Sequence, residues 1–233
     1  MARAGALEGG LSTEVRRMFA SIASRYDAAN EVLSLGVHKL WRREAVRLSR
    51  AAPGDRVLDC ATGTGDLALQ FHNARSKVIG TDFCGEMLGP ARRKSHGAVE
   101  FAVADALQLP FADVTFDIAS IAFGIRNVDD PVRCLREMAR VVKPGGRVVV
   151  LEFGQPRGAF GALFRAYSRG VMPLVGGFLT GNRAAYEYLP RTAARFPAGE
   201  KFLELMGEAD CFASSAAHPL TFGTAFVYLG IRK

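Results

Sequence analysis

The sequence predicts an α/β fold in which a mainly parallel, seven-stranded sheet carries helices on both faces. Apolar runs typical of buried strands alternate with segments of helical periodicity between about residues 55 and 170, and such alternation favours parallel strands joined by helical crossovers. Only His218, Pro219 and Leu220 separate the last two apolar runs, so these two strands should pair as an antiparallel hairpin. We expect residues 11–233 to form one domain and residues 1–10 to form a disordered tail.

Periodicity and turn chemistry place the elements in order. The predicted strands lie near residues 55–60, 77–82, 99–103, 116–122, 147–153, 211–217 and 221–231. The predicted helices lie near residues 15–26, 39–49, 66–75, 86–95, 131–140, 160–170 and 199–209. Pro144 should stop a helix, and the following glycine pair should turn the chain. We expect residues 11–52 to form a helical lid and residues 155–198 to form a substrate-side insert.

The composition is typical of a globular protein with excess positive charge. The net charge is +7, but the arginines are scattered without an aromatic platform, so we expect no nucleic-acid partner. The four cysteines form no C-x-x-C pair, so we expect reduced thiols in a cytoplasmic protein and no bound metal. The longest uncharged apolar stretch, residues 170–182, contains Pro173 and is too short to cross a bilayer as a helix.

The most informative motif follows the first predicted strand. Asp59 precedes a small-residue turn containing Gly63 and Gly65, where the N–H groups of a helix start can face a polar ligand. Asp82 and Asp105 follow the next two strands, and each acid taken alone is also a candidate helix cap. The glycines by themselves also fit a dinucleotide fingerprint. Asp59 favours S-adenosylmethionine, because a carboxylate there can receive a cationic amino group and would repel a pyrophosphate.

A polar and aromatic segment lies between the first two predicted helices, from Tyr26 to Trp41. We expect it to fold over the cofactor, with Tyr26 as a cofactor contact. His38 is the one histidine with a candidate catalytic role, although a lone histidine is more often structural. Asp27 and Asn30 can instead cap helices, and Trp41 can belong to the core.

A second polar segment, residues 123–128, follows the fourth predicted strand at the edge where open α/β sheets bind ligands. Arg126 and Asn127 can donate hydrogen bonds to a substrate oxygen. The alternative is that Asn127 and Asp129 only cap the helix that begins at Pro131.

The insert contains two further candidates. Tyr186 and Tyr188 can contact an aromatic substrate, or can simply be buried. Arg165 and Arg169 accompany large apolar residues at helical spacing, which indicates either a helix on a membrane surface or a helix packed on the sheet. These apolar residues are Phe160, Leu163, Phe164, Tyr167, Val171 and Leu174.

In this combination the chain resembles the ubiquinone/menaquinone biosynthesis C-methyltransferase family. The resemblance runs from about residue 15 to the C-terminus, and Ala29, Ala61, Ala122 and Gly154 depart from the family's usual residues. The segments that carry it are Tyr26-Asp27…Asn30…Leu33-Ser34…His38…Trp41, residues 123–128, residues 140–146 with Leu151-Glu152, residues 186–189 and residues 220–223. It implies the Rossmann-like class I fold of methyltransferases that depend on S-adenosylmethionine, with cofactor contacts at Thr62, Asp82, Asp105 and Ala106.

The resemblance also implies carbon methylation of a prenylated quinol, first of all demethylmenaquinol to menaquinol. Arg126 would stabilise the phenolate or activate a water, Asn127 would position the ring, and His38 is a further candidate. Two alternatives remain open: a ubiquinone-pathway 2-methoxy-6-polyprenyl-1,4-benzoquinol as acceptor, and a non-catalytic cofactor-binding subunit of a quinone-synthesis assembly. A dehydrogenase conflicts with the terminal hairpin. A quinol substrate suggests peripheral contact with the inner face of a membrane, and the sequence leaves a homodimer open.

Overall fold

The computed structural model describes residues 10–233, so residues 1–9 of the expected disordered tail lie outside the described residues. Seven strands form one sheet: β1 (Arg56–Cys60), β2 (Lys77–Asp82), β3 (Glu100–Val103), β4 (Phe116–Ala122), β5 (Val142–Phe153), β6 (Phe212–Leu220) and β7 (Ala225–Arg232). The helices are α1 (Gly10–Ile22), α2 (Tyr26–Ser34), α3 (Val37–Ser49), α4 (Asp66–Asn73), α5 (Gly85–Ser95), α6 (Pro131–Val141), α7 (Gly158–Ala166), α8 (Met172–Thr180), α9 (Arg183–Arg195) and α10 (Glu200–Glu208).

The strand order is β3-β2-β1-β4-β5-β7-β6. The first five strands are parallel, and β7 runs antiparallel to both β5 and β6. The predicted sheet and its antiparallel terminal hairpin are therefore confirmed. The expected connection is wrong, because residues 218–220 belong to β6 and Thr221–Gly223 form the turn. Parallel strands carry their carboxyl ends to one edge, so the loops after β1, β2, β3 and β4 lie together there.

Helices cover both faces because the central strands are buried on both sides. On one face, Leu135 and Met138 of α6 pack with Phe202 and Met206 of α10. On the other face, Trp41 of α3 belongs to a second core cluster with residues of α4. Trp41 is therefore a core residue. Among residues 10–233, none of the helices combines the length and the hydrophobicity needed to cross a membrane.

Three further local expectations were wrong. The polar segment after α1 forms the helix α2, and the insert contains the additional helix α9. Pro144 does not stop α6, which ends at Val141, and no separate turn follows. Instead, residues 142–146 form the start of the long strand β5, because Val142 pairs with Phe116 before the register shifts. Gly145 accommodates this irregularity with a φ of +73°.

Candidate active site

A cavity of about 290 Å³ lies at the carboxyl edge of the sheet, where the strand-end loops meet α1 and α2. Its walls include most of the predicted cofactor contacts: Tyr26, Gly63, Asp82, Asp105 and Ala106. Asp105 accepts a hydrogen bond from the Leu107 N–H at 2.8 Å, which fixes its carboxylate beside the cavity. The structure thus brings Asp82 and Asp105 together at the ends of β2 and β3, as the sequence predicts, whereas Asp59 does not line the cavity.

Asp82 holds the loop after β1. Its carboxylate oxygens accept hydrogen bonds from the N–H groups of Gly63 and Cys84, each at 2.8 Å. Burial raises the pKa of Asp82 to about 6, against the opposing effect of these two N–H donors. Because a carboxylate oxygen can accept more than one hydrogen bond, Asp82 can still receive hydroxyl groups from a ligand in the cavity.

Asp59 and Thr62 lie behind the cavity wall. The Asp59 carboxylate accepts hydrogen bonds from the hydroxyl groups of Thr62 at 2.6 Å and Ser120 at 2.8 Å, and the residue is only 1% exposed. Burial raises the pKa of Asp59 to about 6, although both hydroxyl donors act in the opposite direction. Neither Asp59 nor Thr62 lines the cavity, so the geometry gives them a role in positioning the loop.

Close packing around the glycines shapes the cavity. Gly65 has a φ of +81° at the start of α4, and a Cβ there would lie 3.0 Å from the Phe101 ring. A Cβ on Gly124 would lie 2.6 Å from the Cβ of Ala61. These positions need glycine because the neighbouring atoms already occupy the space of a side chain.

The composition of this cavity fits S-adenosylmethionine. Among the described residues, those that line the cavity include the three aspartates Asp82, Asp105 and Asp129 and no lysine or arginine. Carboxylates can accept hydrogen bonds from ribose hydroxyl groups and attract a cationic amino group, whereas the same charges would repel a pyrophosphate. Met87, Ala106 and Leu107 supply apolar walls for an adenine ring.

A second cavity of about 700 Å³ adjoins the first. Tyr26 and Phe123 line both cavities, so the two spaces meet at these rings. The candidate residues His38, Arg126 and Tyr186 line the second cavity, and Asn127 lines the first. The site therefore offers a carboxylate-lined compartment beside a larger compartment with aromatic and arginine side chains.

Arg126 forms a buried ion pair with Glu152, with 2.8 Å between the Arg126 guanidinium and Glu152 Oε1. The same guanidinium nitrogen donates to the Phe123 carbonyl at 2.6 Å, and the group lies over the Phe153 ring. Among the described residues, Arg126 Nε and Glu152 Oε2 have no hydrogen-bond partner. A buried donor and a buried acceptor without partners are costly, and one hydroxyl group can satisfy a donor and an acceptor together.

Asn127 is held by the insert, because its Oδ1 accepts a hydrogen bond from the Tyr188 hydroxyl at 3.1 Å. The capping alternative for Asn127 and Asp129 is wrong, since Asp130 caps α6 by accepting the Arg133 N–H. Tyr188 thus contacts a candidate site residue without lining either cavity.

Tyr186 is fully buried in the cluster formed by α1, α2, α8 and α9. Its ring lies against Gly176, where a Cβ would come within 2.3 Å of Tyr186 Cγ. Burial raises the pKa of the Tyr186 hydroxyl above its ordinary value. Tyr186 is therefore both a packing residue of the insert and part of the wall of the second cavity.

His38 is buried in the second cavity, and the tautomer of its ring can be assigned. Ser34 Oγ donates its only proton to the Asn30 carbonyl at 2.7 Å. The 2.6 Å contact between Ser34 Oγ and His38 Nδ1 then requires Nδ1–H to be the donor. Burial and the nearby Arg42 charge lower the pKa of His38, so the ring is neutral near pH 7 with a basic Nε2.

The helix α2 is tied to the loop after β1 by polar and charged contacts. Asp27 accepts the Thr64 hydroxyl at 2.5 Å and forms an ion pair with Lys94 at 2.8 Å. Lys94 also contacts Asp66 at 2.5 Å. Asp27 is not a cap, because α2 begins after Arg25 without a side-chain hydrogen bond. These contacts hold α2 over the first cavity.

Sequence reasoning missed two residues of the site, Glu152 and Ser120. Glu152 lies at the carboxyl end of β5, so the strand-end argument that identified Asp59 and Asp82 would also have identified it. Ser120 is an inward-facing residue of β4, and nothing in its sequence context distinguishes it from a core position. Within residues 10–233, no cluster of three or more histidine, cysteine, aspartate or glutamate side chains has the arrangement of a metal site.

Comparisons with known proteins show the family of this chain. The model of the ubiE/COQ5 methyltransferase family matches residues 9–232. A ubiquinone/menaquinone biosynthesis C-methyltransferase UbiE from Bdellovibrio bacteriovorus is 51% identical over 225 residues, which cover 94% of this chain and 96% of that protein. A demethylmenaquinone methyltransferase from Thermus thermophilus is 47% identical over 221 residues, which cover 92% of this chain and 100% of that protein.

Solved structures show the same fold. A SAM-dependent methyltransferase from Thermotoga maritima, described as a possible histamine N-methyltransferase, aligns with a TM-score of 0.68 at 22% identity, covering 93% of this chain and 99% of that chain. A Haemonchus contortus phosphoethanolamine N-methyltransferase in complex with S-adenosylhomocysteine aligns with a TM-score of 0.61 at 16% identity, covering 88% of this chain and 56% of that chain. These likenesses concern the fold, whereas the family match extends over almost the whole sequence. The chain belongs to the ubiE/COQ5 methyltransferase family.

Proposed function

We propose that this protein transfers a methyl group from S-adenosylmethionine to a ring carbon of a prenylated quinol, converting demethylmenaquinol to menaquinol. The relatives from Thermus thermophilus and Deinococcus radiodurans are both named demethylmenaquinone methyltransferases. The observation that carries the proposal is the pair of adjoining cavities, one lined by carboxylates and one large and aromatic, that meet at Tyr26 and Phe123.

We assign the first cavity to the cofactor. Asp82 would accept the ribose hydroxyls, Asp105 and Ala106 would contact the adenine, and the N–H groups after β1 would face the amino-acid portion. Asp59, Thr62 and Gly65 would hold that loop in place. When bound, the cofactor supplies an electrophilic methyl group on a sulfonium.

We assign the second cavity to the quinol. Loss of a phenolic proton makes the ring carbon nucleophilic, and that carbon would bond to the methyl group as the methyl–sulfur bond breaks and S-adenosylhomocysteine leaves. The methylated ring carbon would then lose its hydrogen as a proton and the oxygen would regain one, which restores the aromatic quinol. Arg126 would stabilise the phenolate oxygen, Asn127 would position the ring, and His38 Nε2 would accept the proton directly or through water. Tyr186 would form part of the ring pocket. Alignment of the two reactants is expected to contribute on the order of 7–11 kcal/mol to the rate enhancement.

Turnover with a labelled methyl donor tests the proposal. Purified protein is incubated with labelled S-adenosylmethionine and a chemically reduced, short-tailed demethylmenaquinone, and the product is identified by mass. We expect one added methyl group, and none with the oxidised quinone, which has no phenolic proton to lose. A parallel reaction contains a short-tailed 2-methoxy-6-polyprenyl-1,4-benzoquinol. Methylation of this benzoquinol alone would assign the protein to ubiquinone synthesis. Cofactor binding without turnover of either quinol would indicate the non-catalytic subunit.

A further inference from the structure

An unusual helical surface borders the second cavity. The helix α7, a π-helical turn (Tyr167–Val171) and α8 form one continuous helical segment. Its large apolar side chains face solvent, and its small side chains are buried. The buried side carries small or short residues, namely Gly161, Ser168, Pro173, Gly176 and Thr180. The solvent side carries the exposed stripe, which we define as Phe160, Leu163, Val171, Leu174 and Phe178. A helix of a soluble protein normally buries its large apolar residues instead.

The exposure of the stripe is large. Leu163 is 69% exposed, Leu174 is 59% exposed and Phe178 is 89% exposed. The stripe extends to the exposed Phe222 in the turn before β7, because its ring lies 5.2 Å from that of Phe160. Contiguous apolar surface of this kind marks a site that binds a partner or a membrane. The alternative that these helices pack on the sheet is therefore wrong for Phe160, Leu163, Val171 and Leu174.

The charge of the segment indicates what covers the stripe. Between Glu152 and Glu187 the sequence contains four arginines and no aspartate or glutamate, and of these arginines Arg183 forms an ion pair with Glu187 at 2.8 Å. A second copy of the same surface would bring positive charge against positive charge. An anionic bilayer would instead attract the arginines and receive the apolar side chains.

The stripe lies on the outer side of the helices that line the second cavity. Phe164 and Tyr167 face inwards and line that cavity, and the Tyr167 hydroxyl donates to the Leu33 carbonyl of α2 at 2.7 Å. Arg165 and Arg169 line the same cavity and are also exposed to solvent, so they lie at its edge. A ligand that leaves the cavity past these helices therefore emerges beside the stripe.

We infer that the exposed stripe docks this protein on an anionic lipid bilayer, with the second cavity opening towards the lipid so that a hydrophobic tail can remain in the membrane. The inference about the tail rests on the proposed function, whereas the docking surface rests on the stripe and its charge. The two are separable, because binding to lipid needs no turnover.

Vesicle flotation tests the inference. Wild-type protein should float with vesicles of phosphatidylcholine and phosphatidylglycerol at low salt, and should be released as the salt concentration rises. Leu174→Ser with Phe178→Ser should weaken partitioning by roughly a hundredfold or more, because two large apolar side chains no longer enter the bilayer. Arg165→Glu with Arg169→Glu should weaken it by roughly tenfold or more.

Matched controls lie at the opposite, amino-terminal edge of the sheet. Val114→Ser removes exposed apolar surface, and Arg75→Glu with Lys77→Glu makes the same change in charge as the arginine variant. Both control variants should float like wild type. Leu174→Ser with Phe178→Ser should retain turnover of a short-tailed quinol, because neither residue lines a cavity.

Three results would overturn the inference. The first is failure of wild type to float with anionic vesicles, and the second is equal flotation of wild type and Leu174→Ser with Phe178→Ser. The third is a wild-type dimer in light scattering that this variant converts to a monomer, which would make the stripe a self-association surface. Flotation of wild type without turnover of any quinol would overturn the proposed function and leave the docking surface standing.

Discussion

At the scale of single residues, the carboxylates of Asp59 and Asp82 share a buried, hydrogen-bonded environment. Both are buried, both hold the loop after β1 through hydrogen bonds, and both have a pKa raised to about 6 by burial. A raised folded-state pKa means that the folded protein binds these protons more tightly than the unfolded chain does. These groups therefore make the free energy of unfolding of the cofactor-free protein fall as pH rises from about 4 to about 6.

Asp82 should make cofactor binding pH-dependent. Its charged carboxylate is the form that accepts hydrogen bonds from ribose hydroxyls, so stabilisation by S-adenosylhomocysteine should increase as pH rises through about 6. Thermal unfolding with and without this ligand at a series of pH values measures the effect. Asp82→Asn should bind at least tenfold more weakly, since a charge-assisted hydrogen bond contributes roughly 1.5–3 kcal/mol. Unchanged affinity in Asp82→Asn would contradict the ribose assignment.

A second prediction at the scale of single residues concerns substitutions of Arg126. Arg126→Lys keeps a positive charge beside Glu152 but loses the planar donor set, so the maximal rate should fall by roughly a hundredfold with little change in affinity for S-adenosylhomocysteine. Arg126→Ala should in addition reduce the free energy of unfolding by about 3–5 kcal/mol, because Glu152 would remain buried without its partner. Steady-state kinetics, calorimetric titration and urea unfolding measure these quantities, with Arg133→Lys on the surface of α6 as control. Parallel losses of cofactor affinity and rate would place Arg126 in the cofactor site.

At the scale of secondary-structure elements, the helices of the insert pack closely at glycine positions. The helices α8 and α9 meet where the Tyr186 ring covers Gly176, and α8 also packs on α2. This arrangement explains why the buried side of α8 carries small residues. It also fixes one wall of the second cavity, since Tyr186 contributes to that wall.

Gly176→Ala tests this packing. The new methyl group would lie within the van der Waals radius of the Tyr186 ring, so the free energy of unfolding should fall by about 1–3 kcal/mol. Gly170→Ala is the matched control, because a Cβ there meets no atom within 4 Å. In the control, better helix propensity should leave stability unchanged or raised by up to about 1 kcal/mol. Urea denaturation of both variants measures the difference, and equal midpoints would show that α8 and α9 are not packed in this way.

At the scale of the whole molecule, sequence patterns predicted the sheet more accurately than the helical layer above the site. The strands of a doubly covered sheet are nearly continuous apolar runs, so their positions are visible in the sequence. The bounds of β2 and β4 agree with the prediction to the residue. By contrast, α2 has a polar composition, and α9 contains Pro190, which ordinarily argues against a helix.

Part of the candidate site could also be predicted from the sequence, and part of it could not. Asp82 and Asp105 were predictable because strand ends converge at one edge of the sheet. The ion pair between Arg126 and Glu152, and the hydrogen bond between Tyr188 and Asn127, join residues 26 and 61 positions apart. Such contacts depend on tertiary packing that no local pattern encodes. The large apolar residues of α7 and α8 have helical spacing, but the spacing alone does not show that this side of the helices faces solvent.

The central claim is that the two adjoining cavities bring a methyl donor to a quinol ring carbon. NMR spectroscopy of the product formed from S-adenosylmethionine with an isotope-labelled methyl group tests it most directly, because methyl groups on aromatic carbon and on oxygen resonate in separate regions. We predict that turnover with reduced, short-tailed demethylmenaquinone places the label on the ring carbon. A label found on a phenolic oxygen, or the absence of any labelled quinol from folded protein that binds the cofactor, would contradict the claim.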